Sequence, residues 1–143
     1  MNEKLRDAKA EVWKHFENYH HVFLATGETD QPRVRPVTLV SFDERFWILT
    51  GTESAKTRQI RSNPRVELCL PLKKGEHEGY IRATASAKII KDKETKTRVA
   101  KHCDFFDKHW KSPDDPNYTL LELKLKEIEY LRPDEETARK IKL

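Results

Sequence analysis

LTGTESAKTRQIRSNPRV, Leu49–Val66, passes from strand to loop to short helix and back to strand. The aromatic and β-branched run Arg45–Thr50 (RFWILT) ends inside it. A Gly-containing loop follows, where Thr52 or Ser54 can cap a helix over Ser54–Ser62. Asn63-Pro64 stops that helix, since a residue before proline is pushed out of the helical region. Arg65–Leu72 (RVELCLPL) then alternates Val66, Leu68 and Leu70 on one side, as a half-buried strand does.

The charges on this helix run against the usual preference. Helix N-termini carry partial positive charge, and a misplaced cation there costs roughly 0.3–1 kcal/mol. Lys56 and Arg58 nevertheless fall in the first turn, with Arg61 in the second. An anion at that end would account for them, because free N–H groups and cationic side chains converge on one point. A solvated helix face also tolerates such a cluster, so charge placement alone leaves both readings open. The strand Pro32–Ser41 (PRVRPVTLVS) adds weight, since it sets Arg33 and Arg35 on one side. Arg35 lies just inside an otherwise apolar strand, where an unpaired guanidinium is costly. Its partner is either a carboxylate or a ligand phosphate.

Outward from this segment the chain reads as strands with peripheral helices. Leu5, Ala8, Val12, Phe16 and Tyr19 recur at helical spacing, predicting an amphipathic helix over Glu3–Tyr19. His21–Thr26 (HVFLAT) is a strand reversed by Gly27–Asp30. Pro36 cannot donate to a ladder, which predicts a bulge or an edge there. Lys73–Gly79 reads as a polar loop and Tyr80–Ile90 as a long strand. Asp92 caps a polar helix expected to run to about Trp110, and Ser112–Asn117 (SPDDPN) is the clearest loop. Two strands, Thr119–Leu125 and Glu127–Leu131, then precede a terminal helix after Pro133. About seven strands with no repeat or linker predict one domain over residues 1–143, an antiparallel six- to seven-stranded barrel with flanking helices.

Composition narrows the class. Of 143 residues 36% are apolar and 36% charged, so the core is lean, which favours burying some surface against a second copy. The net charge of +4 comes from interleaved acidic and basic residues rather than the basic stripe of a nucleic-acid binder. The charged amino terminus predicts no secretory leader, and no apolar run approaches the ~18 residues that span a bilayer. Cys69 and Cys103 read as packed thiols in a reducing cytoplasm. His20-His21, His102-Cys103 and His109 lack the paired spacing of a zinc site, so no metal is expected. No nucleophile with its base stands out.

Four landmarks in order resemble the flavin-binding split-barrel proteins related to pyridoxamine 5′-phosphate oxidase. They are RPVTLV (Arg35–Val40), LTG with the following SAK (Leu49–Lys56), NPRVEL (Asn63–Leu68) and SPDDPNYTLLELKLKEIEYL (Ser112–Leu131). The last resembles the general-stress-protein branch. The resemblance covers about His21–Pro133 and implies flavin mononucleotide (FMN) in a cleft of a homodimer. On matching positions, Arg35 and Lys56 would neutralise the phosphate and Ser54 would hydrogen-bond it. Pro36, Val37, Thr38, Leu49 and Thr50 would line the isoalloxazine ring, with Tyr80 as a further polar contact. Apart from these matched positions, Trp13, Trp47 and Trp110 read as core or interface aromatics, with Trp110 also placed to approach a flavin of the partner chain. The chemistry would then be the flavin's, with the protein supplying position and electrostatics.

Departures from the pattern count against vitamin B6 oxidation. Val40 and Ala55 stand where those oxidases carry basic residues, and the chain ends in DEETARKIKL without their Arg/His segment. Leu131 replaces an aromatic common in the stress-protein branch. The expectation is a cytoplasmic FMN oxidoreductase with an unidentified small-molecule acceptor. The alternatives are a deazaflavin or haem protein, a non-catalytic flavin sensor, and a basic nucleic-acid-binding β-domain.

Overall fold

Alternation along the strands decides which side faces the interior. Val22 and Leu24, then Val37 and Leu39, then Leu68 and Leu70, then Ile81, Ala83 and Ala85 are buried in one cluster, while their sequence neighbours point outward. The computed structural model describes residues 2–17 and 19–143. Its elements are α1 (Glu3–His15), β1 (Tyr19–Glu28), β2 (Gln31–Phe42), β3 (Arg45–Gly51), α2 (Ala55–Ser62), β4 (Arg65–Lys74), β5 (His77–Ile90), α3 (Lys93–His102), β6 (Tyr118–Leu131) and β7 (Arg139–Lys142). All strand pairings are antiparallel, in the order β3-β2-β1-β4-β5-β6-β7, and a β3–β6 pairing closes six of the strands into a ring.

The ring is uneven. β1 and β2 pair from Tyr19↔Val40 to Glu28↔Gln31, but β2 and β3 pair only from Val40↔Trp47 to Phe42↔Arg45. Beyond Trp47, β3 continues along β6 as far as Gly51↔Tyr118. One edge of β2 upstream of Val40 is therefore unpaired, which is where Pro36 lies. The edge expectation for Pro36 fits this register, and no bulge occurs at Phe23↔Pro36. α1 packs Ala8 and Val12 into the ring's core, and its C-cap Phe16 follows them there, with the Phe16 and Phe46 rings 5.5 Å apart. α3 covers the outer side instead, burying Val99 and Ala100 against Val40, Trp47, Tyr118 and Leu120.

Several sequence expectations need correction. The segment after Pro133 is not a helix: Arg139–Lys142 pairs with Glu127–Tyr130, and Ile141 is fully buried. β3 occupies one edge of β6 only up to Leu123, so the remaining edge recruits the chain terminus. The two predicted strands Thr119–Leu125 and Glu127–Leu131 are one strand. Leu125 and Ile128 both face inward although three apart, because a bulge at Lys126, opposite Thr84/Ala85, absorbs the extra residue. α3 stops at His102, followed by a single 3₁₀ turn over Phe106–Lys108 that buries Phe106. Lys73–Gly79 is a hairpin whose two-residue turn starts at Gly75 with φ of 61°. α1 ends at His15 and β1 begins at Tyr19, so the first helix is shorter than the periodicity suggested.

No helix of the described residues is long and apolar enough to cross a membrane. Among them, no three His, Cys, Asp or Glu side chains gather in a metal-holding group.

α1 is tied to β6 by charge. Glu11 accepts hydrogen bonds from the Tyr130 hydroxyl (2.8 Å) and from Arg132, whose Nη2 lies 2.5 Å away. The Arg132 hydrogen bond lowers the Glu11 pKa below its ordinary 4.5 although burial opposes it, while burial and Glu11 push Tyr130 up to about 12. A depressed carboxylate stabilises the fold fully above its unfolded pKa and loses that contribution as pH falls through the folded value. Denaturation midpoints should therefore fall as pH drops below 4.5, and Glu11→Gln should flatten that part of the profile. Close approach sets a second test. A Cβ on Gly79 would collide with the Leu131 carbonyl oxygen and sit 2.8 Å from Pro133 N, so Gly79→Ala should cost about 2–4 kcal/mol by urea unfolding.

Candidate functional site

The short β2–β3 ladder opens a cleft. Where the two strands part, they leave a cavity of about 750 Å³ with β2 on one wall and β3 on the other. Pro36, Val37 and Thr38 line it from β2, Leu49 and Thr50 from β3, Lys56 from α2, and Trp110 from the segment after α3. These are seven of the ten residues that the sequence singled out. The Trp110 indole is held by a 3.0 Å hydrogen bond to the Asn117 carbonyl and by the Phe106 and Tyr118 rings, 5.2 and 5.3 Å away. It lines the cavity of its own chain, whereas the sequence reading had it reaching into a partner.

Ser54 caps α2. Its Oγ accepts from Thr57 N at 3.3 Å and lies 2.9 Å from Thr57 Oγ1 and 3.3 Å from Thr50 Oγ1. It does not line the cavity but sits one hydrogen bond behind Thr50, at the helix end that Lys56 occupies. α2 carries no acidic residue in its first turn. Lys56 is half-buried and forms neither an ion pair nor a hydrogen bond with any described residue. Burial, and then repulsion from Arg35, lower its pKa below the ordinary lysine value.

Arg35 shows how the second cation is held. Its Nη1 donates to Thr26 Oγ1 (2.8 Å) and the Leu24 carbonyl (3.3 Å), and its Nη2 donates to Gln59 Oε1 (2.7 Å). All three acceptors are neutral. The nearby carboxylate, Glu28, pairs instead with Arg33 (3.1 Å) and Arg58 (3.5 Å). The choice between carboxylate and phosphate that the sequence posed thus has a third component, a neutral cradle. Burial, and then the charge of Arg33, lower the Arg35 pKa. Two neighbouring cations without an anion are costly in a protein and suited to a multiply charged ligand.

Tyr80 lies elsewhere. It projects from β5 beside Arg82, and its hydroxyl donates to Glu129 at 2.8 Å, so a single chain does not bring it to the cavity. Sequence reasoning also missed contributors. Thr26 and Gln59 are almost wholly buried, and their role as the Arg35 cradle depends on how α2 packs across β1. His21, Phe105, Lys108 and His109 also line the cavity. The density of aromatic and basic residues in FFDKHW was the one available signal for the last three.

Comparison with known proteins gives the family and the fold. The family model described as pyridoxamine 5′-phosphate oxidase matches residues 8–132. General stress protein 26 of Bacillus subtilis (strain 168) is 27% identical over 146 residues, covering 100% of both chains. The crystal structure of General Stress Protein 26 from Bacillus anthracis str. Sterne superposes with a TM-score of 0.75 at 23% identity, covering 95% of this chain and 98% of that one. A heme binding protein from Mycobacterium smegmatis shares the fold at a TM-score of 0.71 and 12% identity, over 90% of this chain and 54% of that one. With the family model running from α1 to the end of β6, the chain belongs to the pyridoxamine 5′-phosphate oxidase family.

Proposed function

We propose that this protein is an FMN-binding oxidoreductase that works as a two-fold dimer. The observation that carries the reading is Lys56, a half-buried cation with no described partner beside an Arg35 satisfied only by neutral groups. A flavin phosphate at the start of α2 supplies the missing charge, where backbone N–H groups also face an anion. Pro36, Val37, Thr38, Leu49 and Thr50 then bracket a flat ring between the two diverging strands, and Trp110 closes it from the side. Bound FMN supplies reversible hydride or electron transfer, and the protein sets its position and access.

The dimer reading rests on the outer face of the sheet. Val34 is 68% and Phe23 46% exposed, and Phe23 is the cross-strand partner of Pro36. An apolar patch thus borders both the cavity and the unpaired edge of β2, and a second copy seated there would cover the cleft. Tyr80 would then serve the partner's cofactor rather than its own. Vitamin B6 oxidation fits poorly, because Val40 is buried under α3 with Trp47 and places no charge in the cavity.

Haem is the second reading, favoured by His21 and His109, whose imidazoles line the same cavity. Absorbance separates the two cofactors, since flavin and haem bands differ. FMN should bind and quench on titration, with Arg35→Ala and Lys56→Ala each weakening it about tenfold or more, the worth of a charge-assisted hydrogen bond. Phe23→Glu should give a monomer that retains FMN poorly in gel filtration. Unchanged affinity in both cation variants would sink the assignment. Linkage gives a further check. Phosphate contact raises the lowered Lys56 pKa, so FMN binding just below pH 10.5 should take up protons, measured calorimetrically in buffers of different ionisation enthalpy. Lys56→Ala should abolish that uptake.

A further inference from the structure

The cavity contains more basic side chains than one phosphate needs. Its lining includes four basic side chains, His21, Lys56, Lys108 and His109, and not one carboxylate. Asp104 and Asp107 flank Lys108 in sequence but do not line the cavity. Lys56 lines the cavity from the first turn of α2, while Arg35 is held behind it by Thr26, Leu24 and Gln59. Lys108 and His109 arrive on a different element, the turn after α3, and neither forms an ion pair with a described residue. They flank aromatic surface: the Phe105 and His109 ring centroids are 6.4 Å apart, and those of His109 and Trp110 are 5.4 Å apart.

We infer that Lys108 and His109 form a second anion subsite in the cleft, one that takes a flat, conjugated carboxylate against Phe105 and Trp110. This substrate class deepens the flavin reading and rests on it for assigning Lys56 to the cofactor phosphate. The apolar walls accept a planar body, while the Lys108 ammonium and the His109 ring N–H select its charged end. A neutral molecule of the same shape gains only the walls. Lys108 and His109 are exposed at the rim, so they meet an incoming anion without having to be unburied.

The test compares 2-naphthoate with neutral 2-naphthalenemethanol by calorimetry, on the full chain in phosphate buffer so that inorganic phosphate fills the Lys56 subsite. Naphthoate should bind about fivefold tighter or more, as expected for partly exposed charge pairs. That preference should vanish in Lys108→Ala/His109→Gln and persist in Lys56→Ala. Equal binding of both probes, or a preference that survives the double variant, overturns the subsite. A preference lost only with Lys56 also overturns it, because the probe would then be occupying the phosphate position. A parallel FMN titration keeps the two readings apart: if FMN does not bind but the naphthoate preference stands, the flavin assignment fails and the subsite remains.

Discussion

The early end of the β2–β3 ladder is the constraint on which the site depends. Three cross-strand pairs hold these strands together, after which β2 follows β1 and β3 follows β6. A ring with full pairing at that seam would leave only side-chain-filled space. The interruption leaves backbone groups on two edges without ladder partners, and Pro36 softens that cost because it has no N–H to satisfy. It also places Val37 and Ile48, which belong to the buried core, in the wall of the cleft.

Electrostatics follow from the same opening. The first turn of α2 is delivered to the end of β3, so Lys56 lines the cleft half-buried rather than standing in bulk water. Arg35 is kept in place by the Thr26 hydroxyl and the Gln59 amide, and Gln59 in turn donates to Glu28 at 3.2 Å. Glu28 is occupied by Arg33 and Arg58, which leaves the positive charge at the cleft uncompensated. Preorganised charge of this kind lowers the reorganisation needed when an anion arrives.

Where local patterns misled, a neighbouring edge or core had overruled them. The polar terminal segment carried helix-forming residues, yet the free half of β6's edge and the pocket for Ile141 drew it into a strand. Leu125 and Ile128 break strict alternation, so one strand looked like two; only the opposite strand's register reveals the bulge. The run after Asp92 kept helical composition as far as Trp110, but burying Cys103 and Phe106 under one surface required a break and a tighter turn.

Residue order alone was enough for the antiparallel barrel, the short α2 helix with its Ser54 cap, and the basic cluster on it, since these rest on local periodicity, capping chemistry and proline stops. It also named most of the cleft wall, because RPVT and LTG are contiguous stretches of single strands. Tertiary structure decided the remainder. The Arg35 cradle joins residues from β1, β2 and α2, Tyr80 turned toward Glu129 instead of the cleft, and Lys108 and His109 joined the wall from some fifty residues beyond Lys56. Such pairings depend on how distant segments pack, which no local pattern of side chains encodes.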